Sequence, residues 1–180
     1  YSFPRLWFTK GETLKAFVTD SAERDDWNET ISCWQQNRHV PVDGHRRQCG
    51  ICAACMLRRL SVHAAGLTEP TDRYVWENLG ATTFETGVAP GFTKITPALR
   101  EYAIAGVMHM DDLAGLVDSP RHESLIKRHS AQIAQPLGLS NEDAEMKLNA
   151  LLRRHRDEWH AFVESLGPHS FIRQWVASVS

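Results

Sequence analysis

Cysteine is scarce in this chain and confined to one stretch. All four cysteines lie between residues 33 and 55, and the residues after them contain none. A secreted disulfide framework spreads its cysteines to tie distant loops together, so tight clustering points instead to metal, redox or cluster chemistry in a reducing compartment. A cytoplasmic location is the expectation. Long apolar runs are absent too: none reaches the ~18–20 residues that a membrane span needs, and no membrane partner is expected. Charge of one sign is not in excess, with 20 Lys and Arg against 22 Asp and Glu. No global basic field exists to hold nucleic acid, although Arg46–Arg47 and Arg58–Arg59 remain local contact points, so nucleic acid is not excluded as a partner. The opening residues lack the charged-then-apolar pattern of a signal peptide. Their first residue is Tyr1 rather than methionine, which suits a piece of a longer protein.

Strand-type alternation, internal repeats and low-complexity tracts are also missing, while 42% hydrophobic residues with 23% charged argue against disorder. What remains is helical. Thr9-Lys10-Gly11-Glu12 reads as a capping box, followed by Leu14, Phe17 and Val18 at helical spacing. Residues 20–28 and 35–48 read as loops. A helix is expected from about Ile51 to Gly66. Residues 67–95 are broken by prolines and glycines and show no period. Thr96-Pro97 opens a helix carrying Leu99, Tyr102, Ala103 and Val107, and Asp111 or Asp112 restarts a short one. Ser119-Pro120 starts another, with Leu125, Ile126 and Ile133. After Ser140 a long helix should bury Ala144, Leu148, Leu151, Leu152, Trp159, Phe162 and Leu166, until Gly167-Pro168 stops it. A last short helix holds Phe171, Ile172 and Trp175. His155, Arg156, Asp157 and Glu158 face different ways on a helix, and no chemistry is assigned to them. The expected class is mainly α.

Fifteen residues separate Cys33 from Cys49-Gly-Ile-Cys52-Ala-Ala-Cys55. A Cys-x-x-Cys turn presents two thiolates to one ion, and Gly50 permits the tight backbone of such a turn. Cys52 and Cys55, three apart at a helix head, point to one side, where the helix dipole favours thiolates. Arg46, Arg47, Arg58 and Arg59 are near enough in sequence to offset the excess negative charge. Three readings fit the spacing: a four-cysteine structural zinc site, an iron–sulfur cluster, or a set of buried or redox thiols. His39 and His45 are alternative ligands in place of Cys33.

Thr30-Ile31-Ser32-Cys33, followed by Cys49-Gly50-Ile51-Cys52-Ala53-Ala54-Cys55-Met56-Leu57-Arg58, resembles the C-terminal zinc motif of the 7-cyano-7-deazaguanine synthases of queuosine biosynthesis. That motif is Thr-x-Ser-Cys followed by Cys-Gly-x-Cys-x-x-Cys-x-x-Arg. Thr9-Lys10-Gly11-Glu12 is similar to the helix start that precedes it in the same family. The resemblance covers residues 4–66. It implies an ATP-pyrophosphatase-type enzyme that makes a nitrile on a deazaguanine, with one structural zinc on Cys33, Cys49, Cys52 and Cys55, and with Lys10 and Arg58 near the nucleotide or substrate pocket. No catalytic residue is assigned. The family's Ser-Gly-Gly-x-Asp-Ser ATP loop appears nowhere in the sequence. The nucleotide-binding α/β domain, and with it ATP and Mg2+, is therefore expected only in a longer parent protein, as a missing N-terminal partner. The loop before Cys49 is long and more than 110 residues follow the motif, as in a diverged relative of the type found beside bacterial antiviral defence genes.

The expected organisation is a zinc-binding region at 1–66 with a helical extension at 67–180 packed on it, in a chain not catalytic alone and compatible with a homo-oligomer. The competing reading is a stand-alone zinc-stapled helical module that binds a protein or nucleic-acid partner.

Overall fold

The computed structural model describes residues 3–22, 24–34, 40–42 and 44–178. It is built from helices, as the sequence predicts: α1 (Lys10–Asp20), α2 (Ala53–Ala64), α3 (Pro97–Gly115), α4 (Glu123–Leu137), α5 (Asn141–Ser165) and α6 (Phe171–Ala177). Among the described residues the only paired strands are two short antiparallel ones, β1 (Val40–Val42) and β2 (His45–Arg47). Their register sets Val40 against Arg47 and Val42 against His45. They lie within a segment expected to be loop; Gly44, at φ +80°, makes the reversal that an L-side chain resists. No helix among the described residues is long and apolar enough to cross a membrane.

The capping box forms. Thr9 Oγ1 accepts from the Glu12 amide at 3.0 Å, and the Thr9 amide donates to the Glu12 carboxylate at 2.8 Å. The apolar side chains of α1 are only half buried, and its one fully buried residue is Gly11. There α1 presses on α2 so closely that a Cβ would stand 2.6 Å from the Ala64 methyl.

α2 begins two residues later than expected. Cys52 is its cap, with Sγ accepting from the Cys55 amide. α3 runs unbroken past Asp111 and Asp112, where a restart was expected. Asp111 caps nothing; it accepts the Trp159 indole N–H at 2.8 Å and so ties α3 to α5. Ser119-Pro120 opens a single 3-10 turn, Pro120–His122, before α4, and Ser119 makes no side-chain cap. On α5, Ala144, Leu152, Trp159 and Phe162 are buried as expected, joined by His155 and Val163, while Leu148, Leu151 and Leu166 are half buried.

The stretch without period, 67–95, contributes much of the core. Tyr74, Val75, Trp76, Leu79, Phe84 and Phe92 are buried. Trp76 stacks on Phe84 at 4.6 Å and donates its indole N–H to the Phe84 carbonyl at 2.9 Å. One apolar cluster joins these residues to the four cysteines, to Ala103 and Val107 of α3, and to Trp159 and Phe162 of α5. α2 lies between α1, α3 and α5, so whatever is built at its N-terminus sits in the middle of the molecule.

Candidate metal centre

Three segments deliver the thiols. Cys33 ends the extended stretch after the 3-10 turn Asp26–Glu29, Cys49 follows β2, and Cys52 and Cys55 bracket the first turn of α2. All four are free and buried, Cys52 and Cys55 completely. Their sulfurs lie within 4.8 Å of one another. Cys33 Sγ is 3.6 Å from Cys49 Sγ, which is 3.8 Å from Cys55 Sγ. A tetrahedron with Zn–S arms of ~2.3 Å has edges of about 3.8 Å, so the thiols are spaced for one central ion. An iron–sulfur cluster places several atoms between its ligands and needs them further apart. His45 is exposed on β2, away from this set; His39 lies outside the described residues.

The backbone is arranged around the sulfurs. The amides of Cys49, Cys52 and Cys55 each donate to the sulfur of the preceding cysteine of the set, all at 3.4 Å. Such N–H···S bonds favour thiolates and fix their direction. Gly50 makes the turn at φ +82°, and a Cβ there would lie 3.0 Å from the Trp76 carbonyl. The turn is sewn to the neighbouring stretch by Gln48 and Cys49 carbonyls accepting from the Val75 and Trp76 amides.

Without a cation the thiols divide their protons unevenly. The hydrogen bond with Cys49 brings Cys33 down to about 7, and that with Cys33 lowers Cys52, while Cys49 and Cys55 are pushed up by the same contacts. A dication at the centre removes that conflict by stabilising every thiolate at once.

Of the four arginines, Arg59 is placed to act on the thiols. Its guanidinium stacks over the Tyr74 ring at 4.5 Å, donates to the Trp76 and Glu77 carbonyls, and interacts electrostatically with Cys55 and Cys49. Arg58 turns to the other side. It is buried and bonded to Glu69 at 3.0 Å, to the Thr30 and Trp27 carbonyls, and stacks over Trp27, clamping α2 to two loops. Arg47 pairs with Glu77, and Arg46 is exposed. Lys10 is exposed at the head of α1, on the rim of a cleft beside the centre.

Sequence reasoning missed Gln48. This buried side chain accepts from the amides of Ser32 and Cys33, at 3.0 and 3.1 Å, and so fixes the approach of Cys33. Its position beside Cys49 carried no signal, because the pairing spans fifteen residues.

The thiol-bearing chain shows partial kinship with known enzymes. It is 35% identical over 68 residues to the 7-cyano-7-deazaguanine synthase of Cupriavidus taiwanensis, a match covering 38% of this chain and 26% of that protein. With the same enzyme of Ralstonia pickettii it shares 35% over 72 residues, covering 40% and 28%. With that of Thiobacillus denitrificans it shares 46% over 46 residues, covering 26% and 18%. Part of this chain is similar to 7-cyano-7-deazaguanine synthases. The matched stretch spans about a quarter of the length of these synthases. No family model matches the chain, and no solved structure does.

Proposed function

We propose that this chain is the zinc-bearing C-terminal region of a 7-cyano-7-deazaguanine synthase-like, ATP-dependent enzyme of the cytoplasm, and is not catalytic alone. The observation that carries the reading is the closed set of four buried thiols, Cys33, Cys49, Cys52 and Cys55, spaced for one tetrahedral ion. Four protein sulfurs leave no open coordination position, so a zinc ion there holds structure and activates no water. The partial similarity to the synthases supports the parent activity. Residues 1–66 are then the zinc region and 67–180 an extension on it, with ATP and Mg2+ bound by an N-terminal nucleotide-binding domain.

The reason for inactivity alone is physical. Gripping ATP phosphates takes backbone amides at a glycine-rich helix start and focused charge, and one mobile Lys10 ammonium supplies neither. Two measurements test the reading together. Elemental analysis of the purified chain should find about one zinc, with little iron. Pyrophosphate release from ATP should be absent from the 180-residue chain and present when the chain is extended toward its N-terminus from its gene. Robust turnover by the short chain, or none by the extended one, would overturn the enzyme reading. The second outcome favours a stand-alone interaction module.

A further inference from the structure

Where α3 gives way to α4, beside α5, lies a hollow of about 350 Å3. Its apolar side comes from Leu116 and Val117, just past the end of α3, and from the buried Ile126 of α4. Its polar side is α5, where Glu145, Asn149 and Arg153 recur every four residues and so share one face. All of these residues fall between 116 and 153, beyond the segment 4–66 that resembles the synthases. The hollow therefore stands apart from the metal centre and from any parent activity.

The charges around it are sorted into pairs, with two left over. Asp118 accepts from Arg156 at 2.7 Å, and Glu123 from Lys127 at 2.7 Å. Among the described residues, the Arg153 guanidinium has no hydrogen bond or ion pair. The Glu145 carboxylate has no hydrogen bond either, and acts on Lys127 only through space. The two do not pair with each other. Eight residues, about 12 Å along the helix axis, separate them. Asn149 stands between, its side-chain nitrogen donating to the Glu145 backbone carbonyl at 3.1 Å. The Ser119 hydroxyl, also on the hollow, caps nothing.

A hollow of this size, with an apolar side and a few unpaired polar groups, fits a small molecule. Its chemistry follows from the two unmatched charges. A carboxylate at one end and a guanidinium at the other call for a cation and an anion held apart by a stretch that packs on Ile126. A ligand with a single charge, or with both charges on one carbon, satisfies one end only.

We propose that this hollow binds a small zwitterion of the ω-amino acid type, with its cationic group at Glu145, its carboxylate at Arg153 and its methylene chain against Ile126. Free lysine and arginine present this pattern through their side chain and carboxylate.

Titration of the zinc-loaded chain with ε-aminocaproate, hexylamine, hexanoate and glycine, followed by amide chemical shifts, is the test. ε-Aminocaproate should saturate the chain, with the shifts centred on residues 116–126 and 145–153. It should bind about five-fold more tightly than either singly charged control, and added salt should narrow that difference. Glycine should not saturate. Arg153→Gln should bring ε-aminocaproate down to the level of hexylamine and leave hexylamine unchanged. Glu145→Gln should bring it down to the level of hexanoate and leave hexanoate unchanged. Arg153→Lys keeps the charge and should retain most of the affinity. Neither side chain holds another in place, so zinc content and the helical spectrum of each variant should match the parent chain. Absence of saturable binding, shifts confined to other residues, or affinity indifferent to both neutral variants would overturn the site; indifference to one of them would overturn that end of it.

Discussion

The side-chain oxygen of Gln48 lies 3.1 Å from the amide nitrogen of Cys33 and accepts its hydrogen bond, across fifteen residues of chain. The same oxygen takes the Ser32 amide, while the Gln48 backbone bonds Arg73 and Val75. Cys33 thus reaches the other thiols through a residue that carries no thiol itself. Gln48→Leu keeps the volume and removes the acceptor, leaving two amides without a partner. Metal affinity, measured by competition with a chromophoric chelator, should fall by roughly 10–100-fold, as is usual when a group orienting a ligand is lost. Affinity equal to that of the parent chain would show that Cys33 is positioned by other means.

Cys52 is both a thiol of the set and the cap of α2. Cys52→Ser retains a capping oxygen but removes a soft ligand, so it separates the two roles. With zinc binding coupled to folding by roughly 10–16 kcal/mol of apparent energy, losing one of four thiolates should destabilise the chain by several kcal/mol. Thermal melting and zinc stoichiometry should fall together. Chelation of the parent chain should reproduce the effect, and a melting curve that ignores both treatments would refute a structural ion.

Gly106 sits inside α3, where alanine is intrinsically better by about 1 kcal/mol. A Cβ there would meet the Ile51 carbonyl at 2.8 Å and the Ala53 amide at 3.0 Å, both backbone atoms of the knuckle. Gly106→Ala is therefore expected to lower the melting temperature in spite of its propensity, by pushing α3 off the four-thiol cluster. A variant more stable than the parent would mean that α3 can shift freely.

Burial raises the pKa of Glu158, with Glu12 adding to the effect while the Thr9 hydroxyl bond and Arg154 oppose it. Thr9 Oγ1 donates to Glu158 at 2.6 Å, so α1 is tied to α5 here. An acid with a raised folded pKa holds its proton in the fold longer than in the unfolded chain. Its contribution to stability is greatest below the ordinary carboxylate range and declines as pH rises through the folded value. Glu158→Gln keeps the acceptor for Thr9 and cannot ionise. It should match the parent chain near pH 4 and be the more stable of the two at pH 7, as read from denaturant midpoints. A parent chain more stable at pH 7 would mean that the ionised carboxylate is favoured by its surroundings.

The helical class, the capping box at Thr9, the long helix after Ser140 and the four-thiol centre were all legible in the sequence. Each depends on residues close along the chain. A cap needs three residues, an apolar face repeats every three or four, and a Cys-x-x-Cys turn carries its own geometry. One error arose where a local signal met a distant partner, and another where a start signal gave less helix than expected. Asp111 looked like a cap but serves Trp159, and the Ser119-Pro120 signal yielded one 3-10 turn before α4.

By itself, then, the sequence determined that the chain is mainly helical and which four sulfurs belong together, because periodicity, capping and thiol spacing are properties of short stretches. Only the tertiary structure decided that Gln48 aims Cys33, that Arg59 rather than Arg58 acts on the thiols, and that unpatterned residues 67–95 supply the core around Trp76. It also brought Glu145 and Arg153 of α5 to one hollow with the start of α4. Those relations join segments separated by tens of residues, and burial and steric fit between packed elements, which no local pattern encodes, select them.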